Sequence, residues 1–202
     1  MSIDKTQHIL MNVHKIGLPV SGIVSEVRKQ QLSEQELAER PKWARLPSLQ
    51  VKLNSHLPAT LPAHRLVNHP RELENLQLPE VGDPITAIVE NFVDGSLILS
   101  ARPIELQTET IASWQHYHDF INYLEIGDEI EGTVVRSEPF GLVVDIGGPG
   151  LGIIDVAYMK NSPGIPLSKE RDDWPKPGEN IFVCVNDFRL GNKQIAVGLI
   201  KY

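Results

Sequence analysis

The side chains that most readily do chemistry are sparse in this chain and lie far apart. There is one cysteine, Cys184, inside the apolar run Ile181-Phe182-Val183-Cys184-Val185, with no histidine or carboxylate pattern tied to it. It reads as a buried core thiol rather than a nucleophile, and a lone cysteine forms no internal disulfide. The seven histidines are scattered. His116 and His118 flank Tyr117 at i and i+2, a spacing that puts them on different faces of a helix and so does not hold a metal. His64 and His69 read as surface loop residues. Gly147-Gly148-Pro149-Gly150 is glycine-rich, but its proline lacks the N–H that a phosphate cradle uses, and the GxxxxGK pattern is missing. No nucleophile elbow, paired-histidine motif or carboxylate dyad on a common element is found. The expectation is a binding protein, not an enzyme, with no cofactor and no metal.

Charge narrows the kind of binding. The chain has 202 residues, with 19 Lys and Arg against 26 Asp and Glu, for a net charge of -7. A uniformly basic protein that wraps nucleic acid is thereby excluded. The imbalance is not spread evenly. Residues 1–102 hold 11 basic and 11 acidic side chains, whereas residues 103–202 hold 8 and 15. With 41% hydrophobic and 22% charged residues the composition is that of an ordinary globular protein. No apolar run approaches the ~18 residues of a spanning helix, and Met1 to Thr6 does not lead into an apolar signal segment. A cytoplasmic location without membrane association is expected.

The elements that must position any binding residue come in two copies. Lys15–Val24 matches Glu125–Val134, sharing Ile-Gly, a second Gly and a Val, and Val81–Val89 matches Pro177–Val185; both members of the second pair run on into a Phe and a Gly turn. Five short β-branched runs follow in the second copy, at Ile130–Val135, Leu142–Ile146, Gly152–Val156, Ile181–Val185 and Ile195–Leu199. The first copy supplies Val20–Val24, Leu49–Leu53, Thr60–Ala63, Ile85–Val89 and Leu97–Ser100. Five strands in so short a segment suit a small Greek-key barrel of the oligonucleotide/oligosaccharide-binding (OB) type, which closes on itself and leaves no sheet edge.

The first copy is longer. Ser33 as N-cap, Glu36 completing a capping box and Leu32 with Leu37 as a staple predict a helical insertion near 32–40, stopped by Pro41, in a stretch carrying Arg28, Lys29, Arg40, Lys42 and Arg45. It is either a solvated decoration or an arm that contacts a partner. Between the copies, Thr108 can cap a helix reaching about Leu124, with Ile111, Trp114, Tyr117, Ile121 and Leu124 on one stripe and Gly127 as the stop. Trp114 is expected to anchor it on one barrel or between the two. The fold expected is therefore mainly β: two five-stranded OB barrels joined by a helix. The domains are 1–104 with the insertion, the linker helix 105–126, and 127–202.

Four motifs carry a resemblance: Gly127-Asp128-x-Ile130-x-Gly132-x-Val134, Phe140 to Ile146, Gly152-Ile153-Ile154, and Pro177-Gly178-Glu179-Asn180-Ile181. Over residues 127–202 the chain resembles the RNA-binding repeat of the largest small-subunit ribosomal protein, the S-one domain. Residues 15–102 look like a degenerate copy, retaining Gly22-x-Val24, Leu61-Pro62, Val81-Gly82-Asp83 and Leu99-Ser100-Ala101-Arg102. The resemblance implies a platform of two aromatics in the second strand, a His in the third and a basic residue after the fifth, on which bases stack while Lys and Arg track phosphates. Here Phe140 stands at the first aromatic position, Val143 at the second and Asp155 at the His position. Phe140 is a stacking ring or else a hydrophobe on the barrel rim, and Asp155 reads as a solvent-facing strand residue.

The residues so implied for nucleic-acid contact are Phe140, Arg136, Lys160, Arg189 and Lys201 in the second copy, and Arg102, Lys52 and Arg65 in the first. A lost ring and an added carboxylate each cost at least ~1 kcal/mol, so weak binding of single-stranded RNA, in translation or RNA metabolism, is expected. The alternative is an acidic protein-interaction or regulatory module in which the same fold binds a protein or ribosomal partner, as an inhibitor or nucleic-acid mimic. The sequence leaves the oligomeric state open.

Overall fold

The computed structural model describes residues 14–201 apart from 30–32, 34, 36–38, 40, 42–44, 56, 157–163 and 169. The chain divides into two compact units, Met1–Trp114 and Gln115–Tyr202. Each unit contains a closed five-stranded barrel. In the first, β1 (Pro19–Arg28), β2 (Ser48–Leu53), β3 (Ala59–Pro62), β4 (Pro84–Val93) and β5 (Ser96–Ser100) close in the order β1-β2-β3-β5-β4. The helix α1 (Thr108–Ile121) follows. In the second, β6 (Glu129–Glu138), β7 (Gly141–Asp145), β8 (Leu151–Asp155), β9 (Asn180–Arg189) and β10 (Gln194–Lys201) close in the same order. In each barrel the third and fifth strands are parallel and the other pairings are antiparallel, as in an OB barrel.

The shared sequence anchors prove to be barrel-closing turns. In the first barrel Gly17 N donates to Val89 O (2.7 Å) and Val89 N to Leu18 O (3.1 Å), while Gly82 N donates to Val24 O (2.8 Å) and Val24 N to Asp83 O (2.9 Å). The second barrel repeats this with Gly127 and Val185 (2.8 Å), Val185 and Asp128 (2.9 Å), Gly178 and Val134 (2.8 Å), and Val134 and Glu179 (2.9 Å). The second glycine of each anchor marks close strand approach. A Cβ on Gly22 would lie 2.7 Å from Lys52 O, and one on Gly132 would lie 2.9 Å from Asp145 O. Each first strand carries an irregularity at the same place, between Val24 and Glu26 and between Val134 and Arg136.

Alternation then sorts side chains inward and outward. Val24, Leu49, Val51, Ala59, Leu61 and Leu99 fill the first core; Val134, Leu142, Val144, Ile154, Ile181 and Ile195 fill the second. Cys184 is buried and forms no disulfide, and burial, with the negative charges of Glu129 and Asp128, pushes its thiol up.

The extra length of the first copy falls between β1 and β2, which are joined by residues 29–47 where β6 and β7 are joined by Pro139 and Phe140 alone. Within it Gln35 and Glu39 are helical, and Gln35 Nε2 donates to Glu39 Oε1 at 3.1 Å. Most of the expected 32–40 insertion lies outside the described residues. The helix α1 ends at Ile121, one turn before the expected Leu124. From Asn122 the chain tightens through Tyr123 N to Phe120 O (3.1 Å) and Leu124 N to Ile121 O (3.2 Å), and Asp128 Oδ2 takes the Glu125 N–H (2.7 Å). In the first unit Trp114 lies against Gly17. In the second Tyr117 is buried, and its hydroxyl donates to Gln194 O at 3.0 Å.

Candidate nucleic-acid interface

The outward face of the second barrel starts at its tightest turn. Pro139 and Phe140 form the whole connection between β6 and β7, so Phe140 stands at a hairpin tip with 47% of its surface exposed. The tip is pinned on two sides. Val156 N donates to Phe140 O (3.0 Å), and Arg171 Nη2 donates to Pro139 O (2.9 Å) while its guanidinium lies 5.7 Å from the Trp174 ring centroid. Gly141, next in sequence, has φ +146°, and a Cβ there would sit 1.8 Å from Ile154 O. Only glycine lets the hairpin pass this close to β8. The ring is thus presented by a rigid frame.

Glu138, Gly141 and Asp155 lie in register across β6, β7 and β8, and the neighbouring row is Arg136, Val143, Ile153 and, on β10, Ala196. Val143 is completely buried, and Ile153 and Ala196 are nearly so. The second ring position is therefore a closed aliphatic patch. Asp155 is not the solvent-facing residue expected from sequence: it is part-buried, with its Oδ2 3.3 Å from Arg189 Nη2. Arg189 lies in register with Gln194 of β10 and Leu151 of β8, and its guanidinium reaches Asp155 at the far end of β8, where the ion pair holds it.

Arg136 is paired too, through Nε to Glu138 Oε1 at 2.7 Å, in an exposed bridge. The structure thus brings Phe140, Arg136 and Arg189 to the β6–β7–β8 side. It places Lys201 elsewhere, beside Phe182 at the end of β10. Lys160 lies outside the described residues.

In the first barrel the implied cations also meet carboxylates. Arg65 Nη2 is 2.6 Å from Glu90 Oε1, and Arg102 Nη1 is 3.3 Å from Glu105 Oε1, whose other oxygen accepts from the Ser100 hydroxyl. Ala101 N donates to Arg65 O (2.9 Å), tying the two arginines together through the backbone. Burial pushes the Glu90 carboxyl up despite Arg65, and burial, then the charges of Arg65 and Arg102, holds His64 down. His64 is thus part of a charged network rather than a plain loop residue. Sequence reasoning missed Glu90 and Glu105; the signal was a carboxylate directly after the apolar run Ala87-Ile88-Val89.

Lys52 differs. It is exposed on β2, makes no ion pair with a described residue, and lines a cleft of about 600 Å³ with Ser25, Arg28, Gln50 and Asn54. Gln50 Nε2 donates to Thr60 Oγ1 (3.1 Å), fixing the cleft floor. Among the described residues no group of three His, Cys, Asp or Glu could hold a metal, and no helix is long and apolar enough to cross a membrane.

Residues 123–199, a stretch that includes most of the second barrel, match the family model described as the S1 RNA binding domain. No curated protein matches the chain. Among solved structures, the chain is similar to GSP13 from Bacillus subtilis at 16% identity, with a TM-score of 0.32, over 38% of this chain and 55% of that one. It is also similar to a multidomain protein with nucleic acid binding domains from Streptococcus pneumoniae, at 17% identity and a TM-score of 0.27, over 90% of this chain and 50% of that one. A third similarity is to Mycoplasma genitalium RNase R in complex with ribose methylated single-stranded RNA, at 13% identity and a TM-score of 0.35, over 46% of this chain and 15% of that one. The chain thus spans about half or less of the length of each of these three.

Proposed function

We propose that this protein binds single-stranded RNA, weakly and without catalysis, through the β6–β7–β8 face of its second barrel, in translation or RNA metabolism. The observation that carries the reading is a half-exposed Phe140 held on a rigid hairpin within the stretch that matches the S1 RNA binding domain. A ring so placed offers a base a stacking surface worth ~1–3 kcal/mol. Arg136 and Arg189 flank it, while Lys201 stands apart beside Phe182 and Lys160 lies outside the described residues. Lys52 on the first barrel is the cation readiest to meet a phosphate, while Arg65 and Arg102 reach one only by leaving Glu90 and Glu105. A cytoplasmic location is part of the same reading.

Weakness follows from the charges. Of the seven implied arginine and lysine contacts, four are arginines already engaged with carboxylates: Arg65, Arg102, Arg136 and Arg189. Fluorescence anisotropy with labelled single-stranded RNA should give a Kd of about 10 μM or weaker at low salt. Phe140→Ala should weaken binding by ~5- to 100-fold. The slope of log K against log salt should reflect no more than about two or three neutralised phosphates. No anisotropy change at about 1 mM protein sinks the reading. The ion pairing favours a second reading, an acidic surface that meets a protein, and residues 103–202 with 8 basic and 15 acidic side chains have the charge for it.

A further inference from the structure

The turn that leads into the first strand is built identically in both barrels, but only one copy is covered. Gly17 and Gly127 both have positive φ, +80° and +103°, and both donate to the valine of the facing strand, Val89 or Val185, at 2.7 and 2.8 Å. In the first barrel the Trp114 indole fills the space above the glycine: a Cβ on Gly17 would lie 2.0 Å from Trp114 Cδ2 and 2.1 Å from Cγ. Ile16, beside it, is 8% exposed. In the second barrel no described residue lies within 4 Å of the Cβ position of Gly127. Ile126 is 63% exposed there, and Tyr123 is 85% exposed.

The covered copy shows what this surface accepts. Its occupant is an indole on a helix, seated on bare glycine backbone and shielding an isoleucine. The two copies differ in their rims. Lys15 precedes the covered turn, whereas Glu125, Asp128, Glu129 and Glu131 surround the bare one. That negative charge reaches the barrel wall, where Glu129 and Asp128 add to burial in raising the Cys184 thiol. Nucleic acid is repelled by such a rim, while a helix with basic flanks is attracted. A second copy of this chain does not offer α1 for the role, because its Trp114 is already seated on Gly17.

We propose that the Tyr123–Asp128 turn of the second barrel is a docking socket for another protein, which inserts an aromatic side chain, tryptophan above all, from a helix flanked by Lys or Arg. The site is separate from the RNA face and does not depend on it. The whole interface is larger than the socket; the aromatic is its anchor.

The test uses the full chain, isotopically labelled, with a helical peptide as the probe: residues 106–122 of this chain carrying Glu109→Lys and Asp119→Lys. Titration should shift the amides of Ile126, Gly127, Asp128 and Val185, with a ring-current displacement at the Gly127 α-protons and a Kd of about 1 mM or tighter. The same peptide with Trp114→Ala should bind at least ~10-fold more weakly. Ile126→Asp in the full chain should abolish the shifts while leaving the Trp174 indole N–H resonance in place, which separates loss of the socket from loss of the fold. Shifts centred elsewhere, or none at millimolar peptide, overturn the proposal. So does displacement of the same resonances by poly-U, or by raising the concentration of the chain alone, since either names a different occupant.

Discussion

Gly141→Ala should be among the most damaging small substitutions in the second barrel, and its cost can be worked from two separate terms. The residue has φ +146°, where an L side chain adds roughly 1–3 kcal/mol of backbone strain. The new Cβ would also lie 1.8 Å from Ile154 O, 2.9 Å from Ile154 C and 3.2 Å from Asp155 Cα. All three are backbone atoms of β8, so no side chain can swing aside. Relief requires parting β7 from β8 at the Gly141–Asp155 pair, at about 1 kcal/mol for each ladder hydrogen bond lost. With two such bonds the total is roughly 3–5 kcal/mol. Gly147→Ala is the matched control: φ +77°, the same barrel, and nothing within 4 Å of its Cβ position, so only strain of about 1–2 kcal/mol applies. Because the chain has two units, unfolding is followed at a probe confined to the second, the Trp174 indole N–H, which donates to Ser168 O at 2.7 Å. A urea series should place Gly141→Ala well below Gly147→Ala. Equal costs would refute the clash, and with it the account of why the Phe140 hairpin is rigid.

Two further outcomes follow from the ion pairs. Asp155→Asn should release the Arg189 guanidinium, raising affinity for single-stranded RNA several-fold in anisotropy titrations while costing about 1 kcal/mol of stability or less, since the pair is only part-buried; unchanged or weaker binding would place Arg189 outside the interface. His64 is held below its ordinary pKa by burial first and then by Arg65 and Arg102. A histidine depressed in the folded state favours folding above its unfolded pKa, about 6.5, and that contribution is lost as pH falls through the folded value. The first unit should therefore weaken below pH ~6.5, and His64→Gln should flatten that slope; an NMR titration placing His64 at or above its ordinary pKa would contradict the burial argument.

What the sequence made legible is what the backbone itself enforces. The Ile-Gly and Gly-Asp or Gly-Glu anchors were visible because each is a turn whose glycine donates to the opposite strand, and four such turns close two barrels. The strands were visible through β-branched alternation, which burial of one face demands. The reach of α1 was overestimated because Asp128, beyond the stripe, captures Glu125 N and turns the last stretch into a strand lead-in. The state of the implied cations was invisible for a different reason. Arg65 meets Glu90 and Arg189 meets Asp155 across 25 and 34 residues of sequence, a separation that a local pattern does not encode. Val143 was read as a missing ring; its complete burial shows the position closed rather than vacant.

The two barrels share a frame, yet their outward faces are built for different company. After the same irregularity in the first strand, the first barrel carries Glu26 and Arg28, with Arg28 Nε 2.9 Å from Glu26 Oε2. The second carries Arg136 and Glu138 in the same two positions, with Arg136 Nε 2.7 Å from Glu138 Oε1. The local bridge survives while its polarity reverses. In the row that Glu26 and Arg136 occupy, the polar pair Gln50 and Thr60 is replaced by Val143 and Ile153. A ligand that complements one face therefore meets inverted charge, and apolar side chains in place of hydrogen-bonding ones, on the other. Two equivalent copies of one site are thus excluded by the same register that makes the copies superimposable. The exposed ring of Phe140 belongs to one barrel, and Lys52, which makes no ion pair with a described residue, belongs to the other.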